Sequence, residues 1–276
     1  MIVVTGTKRS GTSLWMQMMS AAGLEVIGTA FPRAWREHLE AHNPGGFYES
    51  ELRRGIYHET NPHPKTGRYL HPDSTRRHVV KVFVPGLVRS DHAFLDRVVG
   101  SVRSWREVVV SLRKLRATES RVFRWAEAKK RITYRRPEIE WFEHVFLLVR
   151  DVTTRRYPAL LVGHHRLLAQ PAAVWGEVLD FLGPLAPEGP AATDAHRAVQ
   201  PKLYRNVHPD VDDVVFDPAN AERLDHFVEA VNAGRWRDPE VLGGLNAAWT
   251  ETVEKGWLDE RIDWADPRII GREPAP

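Results

Sequence analysis

Residues 2–22 read IVVTGTKRSGTSLWMQMMSAA and impose more on the fold than any other stretch of the chain. Ile2, Val3 and Val4 form a β-branched apolar run of the kind found in a buried strand. Residues 6–11 then make a tight polar turn bounded by Gly6 and Gly11. From Thr12 and Ser13 the pattern becomes helical, with Leu14, Met18 and Ala22 at four-residue spacing. A strand that turns abruptly into a helix N-terminus aims unpaired backbone N–H groups and the positive end of a dipole at one point. A phosphate or sulfate suits such a point best. Lys8 and Arg9 add full positive charge there.

The rest of the chain continues the alternation. A short strand is expected over 24–27, after a helix stop at Gly23. Residues 29–73 are rich in Pro, Gly, His, Asn and aromatics and read as a functional loop region, with a short helix over 51–59. A central strand follows over 79–84, stopped by Pro85 and Gly86, and it places Lys81 in mid-strand. A helix over 91–96 leads to a strand over 98–102 with Arg103 at its end. Ser104 is placed to cap a helix over 105–116. Helices over 120–131 and 137–149, a last strand over 157–162 and an amphipathic helix over 171–182 complete the pattern.

Apolar strands alternating with helices imply an α/β fold. The expectation is a three-layer α/β/α arrangement with a central, mostly parallel sheet of about five strands, P-loop NTPase-like in form. One domain is expected over 1–276, with a core over 1–183, a C-terminal helical region over 184–264 and an irregular tail over 265–276. Ligands in such folds bind at the C-terminal ends of the strands, where Arg9 and Arg103 both fall.

Composition narrows the chemistry. The chain has no cysteine, which excludes disulfides, thiol catalysis and Cys-ligated metal sites. A net charge of +3 suits an anionic small ligand and is too weak to argue for nucleic acid. No apolar run approaches membrane-spanning length, and the N-terminus enters a strand without a signal pattern, so a soluble cytoplasmic protein is expected. Residues 113–136 hold ten Lys or Arg against two Glu, which is either a solvated helical face or a field that gathers an anion.

The turn GTKRSGTS has the spacing of a phosphate-binding loop with one departure. A triphosphate-binding loop needs Lys after the second Gly, and Thr12 stands there. The segment Arg9-Ser10-Gly11-Thr12-Ser13 instead resembles the 5′-phosphosulfate loop of bacterial-type sulfotransferases that use 3′-phosphoadenosine 5′-phosphosulfate (PAPS). Residues 102–112, VRSWREVVVSL, are similar to that family's 3′-phosphate segment, a strand-end Arg followed eight residues later by a Ser; the family usually has Pro where Trp105 stands. Residues 43–49, NPGGFYE, resemble a stretch between the first helix and the next strand. Residues 160–171 with Phe181-Leu182-Gly183 resemble the family's late strand and helix, with His164-His165 where an acidic turn is usual.

The resemblance implies transfer of a sulfuryl group from PAPS to a hydroxyl or amine of a small-molecule or glycan acceptor, with no divalent metal. It implies cofactor contacts from Lys8, Arg9, Ser10, Gly11, Thr12, Ser13, Arg103 and Ser111. Arg9 aligns with the family's catalytic Lys and would act electrostatically, because a guanidinium stays charged at neutral pH. Lys8 is a second catalytic candidate, and Glu49 is the candidate base for the acceptor proton. The alternative for Glu49 is a structural acid next to the following helix. The His pair reads as structural rather than metal-binding, because neighbours on a strand face opposite ways. Lys202 and Arg205 are candidates for a basic loop over the cofactor. Two other readings stay open: a P-loop kinase of a nucleotide or small molecule, and a non-catalytic nucleotide-binding module.

Overall fold

The computed structural model describes residues 1–31, 40, 43–123, 133–200, 211 and 213–263. Its centre is a five-stranded parallel sheet of order β2-β3-β1-β4-β6. The strands are β1 (Ile2–Gly6), β2 (Glu25–Ile27), β3 (His78–Lys81), β4 (Arg97–Val102) and β6 (Ala159–Gly163). Helix α1 (Thr12–Ala21) follows β1, and α2 (Val84–Arg89) follows β3. Helices α3 (Trp105–Phe123) and α4 (Pro137–Arg155) lie between β4 and β6. After β6 come α5 (His164–Ala169), α6 (Pro171–Leu182), α7 (Pro190–Asp194), α8 (Pro218–Asn232) and α9 (Pro239–Glu254).

Strands buried on both faces alternate their side chains between two apolar layers. Ile2, Val4, Val79, Val99 and Val162 pack with Trp15, Met16 and Met19 of α1 and Trp175 and Val178 of α6. Val3, Val80, Val98 and Leu161 pack with Trp105, Val108 and Val109 of α3, Phe142 and Val145 of α4, and Leu224 and Phe227 of α8. This is the expected α/β/α sandwich. Among the described residues no helix is long and apolar enough to cross a membrane.

Several boundaries differ from the sequence expectation. Strand β3 ends at Lys81 and α2 opens at Val84, with Pro85 in its first turn. Proline has no N–H to lose at that position, so it starts the helix there rather than merely stopping the strand. Residues 51–54 form only a 3-10 turn, and 92–94 another, where longer helices were expected. Helix α3 runs on to Phe123 without a break, past the expected start of a new helix at Ser120; residues 124–131 of that expected helix lie outside the described residues. The strand over 157–162 is not the last. A two-stranded antiparallel sheet pairs β5 (Thr133–Arg135) with β7 (Arg261–Asp263). Lys202, Arg205 and the tail from 265 lie outside the described residues.

The sheet order places the site. The chain passes from β3 on one side of β1 to β4 on the other. Such a switch point opens a crevice at the C-terminal strand ends. In register, Lys81 stands beside Val4, Gly6 beside Ser101, and Val102 beside Gly163. The residues that follow these ends therefore converge.

Candidate functional site

The loop after β1 is held open as a turn by its neighbours. Ser10 donates its backbone N–H and its hydroxyl to Thr7 O, at 3.2 and 2.8 Å. Ser101 Oγ, on β4, donates to Ser10 O at 2.6 Å. Arg9 sits at φ 67°, a left-handed conformation that costs a residue with a Cβ about 1–3 kcal/mol. Arg103 Nη1 donates to Arg9 O at 3.2 Å and so supports that turn from the next strand. Gly11 caps α1 at φ 97°, and a Cβ there would come within 2.7 Å of His164 Nδ1. A side chain at Gly6 would meet Ser101 O at 2.5 Å.

Helix α1 thus begins with no side-chain cap and no acid in its first turn. Its leading N–H groups point out of the helix, at the positive end of the dipole. Thr7 Oγ1, buried in the same loop, has no hydrogen-bond partner among the described residues. An orphaned buried hydroxyl and an uncapped helix start suit an anion. Gly11, Thr12 and Ser13 all lie at this helix start.

Two basic groups meet beside the loop. Arg9 Nε donates to Ser111 Oγ at 2.9 Å, across from the second turn of α3. Arg103 Nε donates to Glu107 at 2.6 Å, and Trp141 Nε1 donates to Arg103 O at 3.0 Å. The structure therefore joins Arg9, Arg103 and Ser111 on one side of the loop. It also gives Arg103 a carboxylate partner. Trp105, where proline is usual in the resembled segment, is fully buried; its Nε1 donates to Asp225 on α8 at 2.8 Å and its ring packs edge-on to Phe216.

On the other side stands a buried ion pair. Lys81 Nζ lies 3.2 Å from Glu49 Oε1, with side chains 2% and 8% exposed. Glu49 is fixed there by paired backbone hydrogen bonds with Thr29, and Arg53 approaches its other oxygen at 3.6 Å. Lys81 also donates to Phe47 O and lies 3.5 Å from Ser13 Oγ, at the first turn of α1. Burial pushes the Lys81 ammonium below its ordinary pKa, against the pull of Glu49. Glu49 is thus in the site, engaged by two cations. Lys81 is the residue whose role the sequence left open: read as mid-strand it had no defined direction, and as a strand end it faces the first turn of α1.

Lys8 points elsewhere. Its Nζ pairs with Glu140 on α4 at 3.1 Å, and Arg116 pairs with the same carboxylate. Burial raises the Glu140 pKa, but Lys8 and Arg116 outweigh it and hold the carboxyl below its usual range. Arg116 is 2% exposed and stacks on Tyr134, while Arg135 pairs with Glu143 and Arg136 with Glu138. Over these positions the basic stretch is ion-paired structure rather than a bare field. His164 and His165 begin α5 beside Arg103. Burial and the Arg103 charge push the His164 pKa down to about 3, so that ring is neutral at ordinary pH.

Fold and loop together define a P-loop-like α/β protein with Thr12 where a triphosphate-binding loop has a lysine after its second glycine. No protein-family model matches the chain, and no curated protein matches it.

Proposed function

We propose that the protein is a PAPS-dependent sulfotransferase. The observation that carries this reading is the meeting of Arg9, Arg103 and Ser111 beside the uncapped start of α1. One anion pole lies at the loop and a second at the end of β4. A nucleotide with phosphates on both its 3′ and 5′ positions matches two such poles. When bound, PAPS would supply a sulfuryl group on its 5′-phosphate.

The chain's own residues then have defined work. The N–H groups of Gly11, Thr12 and Ser13 hold the 5′ anion, and Arg9 with Lys81 places positive charge where negative charge grows on the leaving oxygen. Arg103 and Ser111 hold the 3′-phosphate. Glu49 takes the acceptor proton, and its pairing with Lys81 orients the carboxylate for that task. Lys8, turned toward Glu140, keeps the loop seated on α4. A kinase reading lacks its lysine after Gly11.

The test is a thermal-shift comparison of adenosine 3′,5′-bisphosphate with ATP, followed by an acceptor screen with labelled PAPS in the presence of EDTA. Stabilisation by the bisphosphate over ATP and metal-independent label transfer support the reading. Magnesium-dependent transfer from ATP would replace it with the kinase, and bisphosphate binding without transfer to any acceptor would favour the binding module.

A further inference from the structure

One buried carboxylate at the second pole holds a guanidinium and an imidazole. Glu107 Oε2 accepts from Arg103 Nε at 2.6 Å, and Glu107 Oε1 lies 2.6 Å from His165 Nε2. The Glu107 side chain is 1% exposed, that of Arg103 10% and that of His165 31%. Arg103 follows β4 and His165 follows β6, and these strands are neighbours. Glu107 therefore spans the crevice between two strand ends and ties them to the first turn of α3.

The charge arithmetic makes this arrangement informative. A phosphate approaching Arg103 meets a guanidinium already neutralised by Glu107. A pole of one cation and one anion attracts weakly. The surplus must come from a further donor, and His165 from α5 lies at hand. Of the three residues in the Glu107 cluster, His165 is the most open to solvent. An imidazole has two ring nitrogens, so one can hold a carboxylate while the other meets a phosphate oxygen. The adjacent His164 divides the labour, since it is buried, neutral and packed against Gly11.

We propose that His165 is a ligand-binding residue for the nucleotide's second phosphate, and that Glu107 is the positioning residue that carries it beside Arg103. This rests on the bisphosphate reading above. It makes the His pair part of nucleotide selection, with one ring shaping the loop and the other reading the 3′ substituent.

Calorimetric titration with adenosine 3′,5′-bisphosphate and with adenosine 5′-phosphate tests it, using the wild type, H165A, H165Q and E107Q. The wild type should prefer the bisphosphate by about a hundredfold, as expected for charge-assisted hydrogen bonds to one phosphate. H165A should cut that preference about tenfold and leave the 5′-phosphate affinity within about twofold. H165Q, which keeps a donor, should recover part of the loss, and E107Q, which frees Arg103 of its counter-charge while keeping a hydrogen-bonding side chain beside His165, should cut the preference less than H165A does. Because His165 is partly exposed, H165A keeps the test decisive even if E107Q fails to fold. An unchanged preference in H165A, or an equal loss for both nucleotides, overturns the proposal while leaving the bisphosphate reading intact. A wild type with no preference for the bisphosphate overturns both.

Discussion

Arg103 reaches from the end of β4 to the backbone of Arg9, its Nη1 donating to the Arg9 carbonyl at 3.2 Å. The strained residue of the anion loop is thus held by the residue assigned to the other phosphate. Loop shape and second-pole chemistry are coupled through one side chain.

Arg103→Ala should therefore fail in two ways. It removes the support of the Arg9 turn and leaves Glu107, which is fully buried, without its guanidinium. Breaking a buried pair from one side costs about 3–5 kcal/mol. Urea denaturation should show a loss of that order. Arg103→Lys keeps the charge but not the fork, and should retain most of the stability while losing bisphosphate affinity.

Gly11→Ala tests the geometry of the loop. The backbone is at φ 97°, and the new methyl would meet His164 Nδ1 at 2.7 Å. A stability loss of about 1–3 kcal/mol is expected, together with weaker anion binding, because the helix start must tilt to relieve the contact. Equal melting temperatures and equal bisphosphate affinities for G11A and wild type would contradict this account of the turn.

How much of this could be read beforehand follows from the physics of each segment. The strand-turn-helix at the N-terminus was legible because three independent signals agree: the β-branched run, the glycine pair and the helical spacing from Thr12. Residues 98–102 and 171–182 were legible for similar reasons, a valine-rich run between Arg97 and Arg103 in one and a Gly-Pro stop in the other. Pro85 misled because proline both ends strands and begins helices, and only the packing of α2 decides which. Strands β5 and β7 carry three residues each, too few for a periodic signal, and they pair across more than a hundred residues. The spacing tied Ser111 only to Arg103, so the joining of Arg9 to Ser111 was not legible, and the capture of Arg103 and His165 by one glutamate depends on the adjacency of β4 and β6. The Lys81–Glu49 pair was hidden for the same reason, because it needs the register of β3 against β1.

Acid should weaken the protein through His164. Its folded-state pKa of about 3 lies below the usual 6.5, because the ring is buried beside Arg103. Between these values the unfolded chain holds a proton that the folded chain does not, so stability rises with pH through that window and is lost as pH falls. From about pH 7 to pH 5 this one ring should cost about 2 kcal/mol. Urea midpoints of H164Q should show a correspondingly shallower pH dependence than wild type; identical slopes would mean that the ring is not neutral in the folded state.

Glu49→Gln separates base catalysis from electrostatics. Removing a general base lowers kcat by about 10²–10⁴. The variant should keep bisphosphate affinity, because it leaves the Lys81 ammonium and the start of α1 in place. Lys81→Met should instead lower both kcat and affinity for the 5′ anion. Normal turnover of Glu49→Gln across the pH range would place the proton acceptor elsewhere.

On the proposed reading, Arg9 and Arg103 hold opposite ends of one doubly phosphorylated adenosine. A calorimetric titration of the wild type, R9A and R103K with adenosine 3′,5′-bisphosphate in EDTA tests it most directly. Binding by the wild type, weakened at least about tenfold in each variant, is the predicted result. Wild-type affinity retained in both variants, or no binding by the wild type, would contradict it.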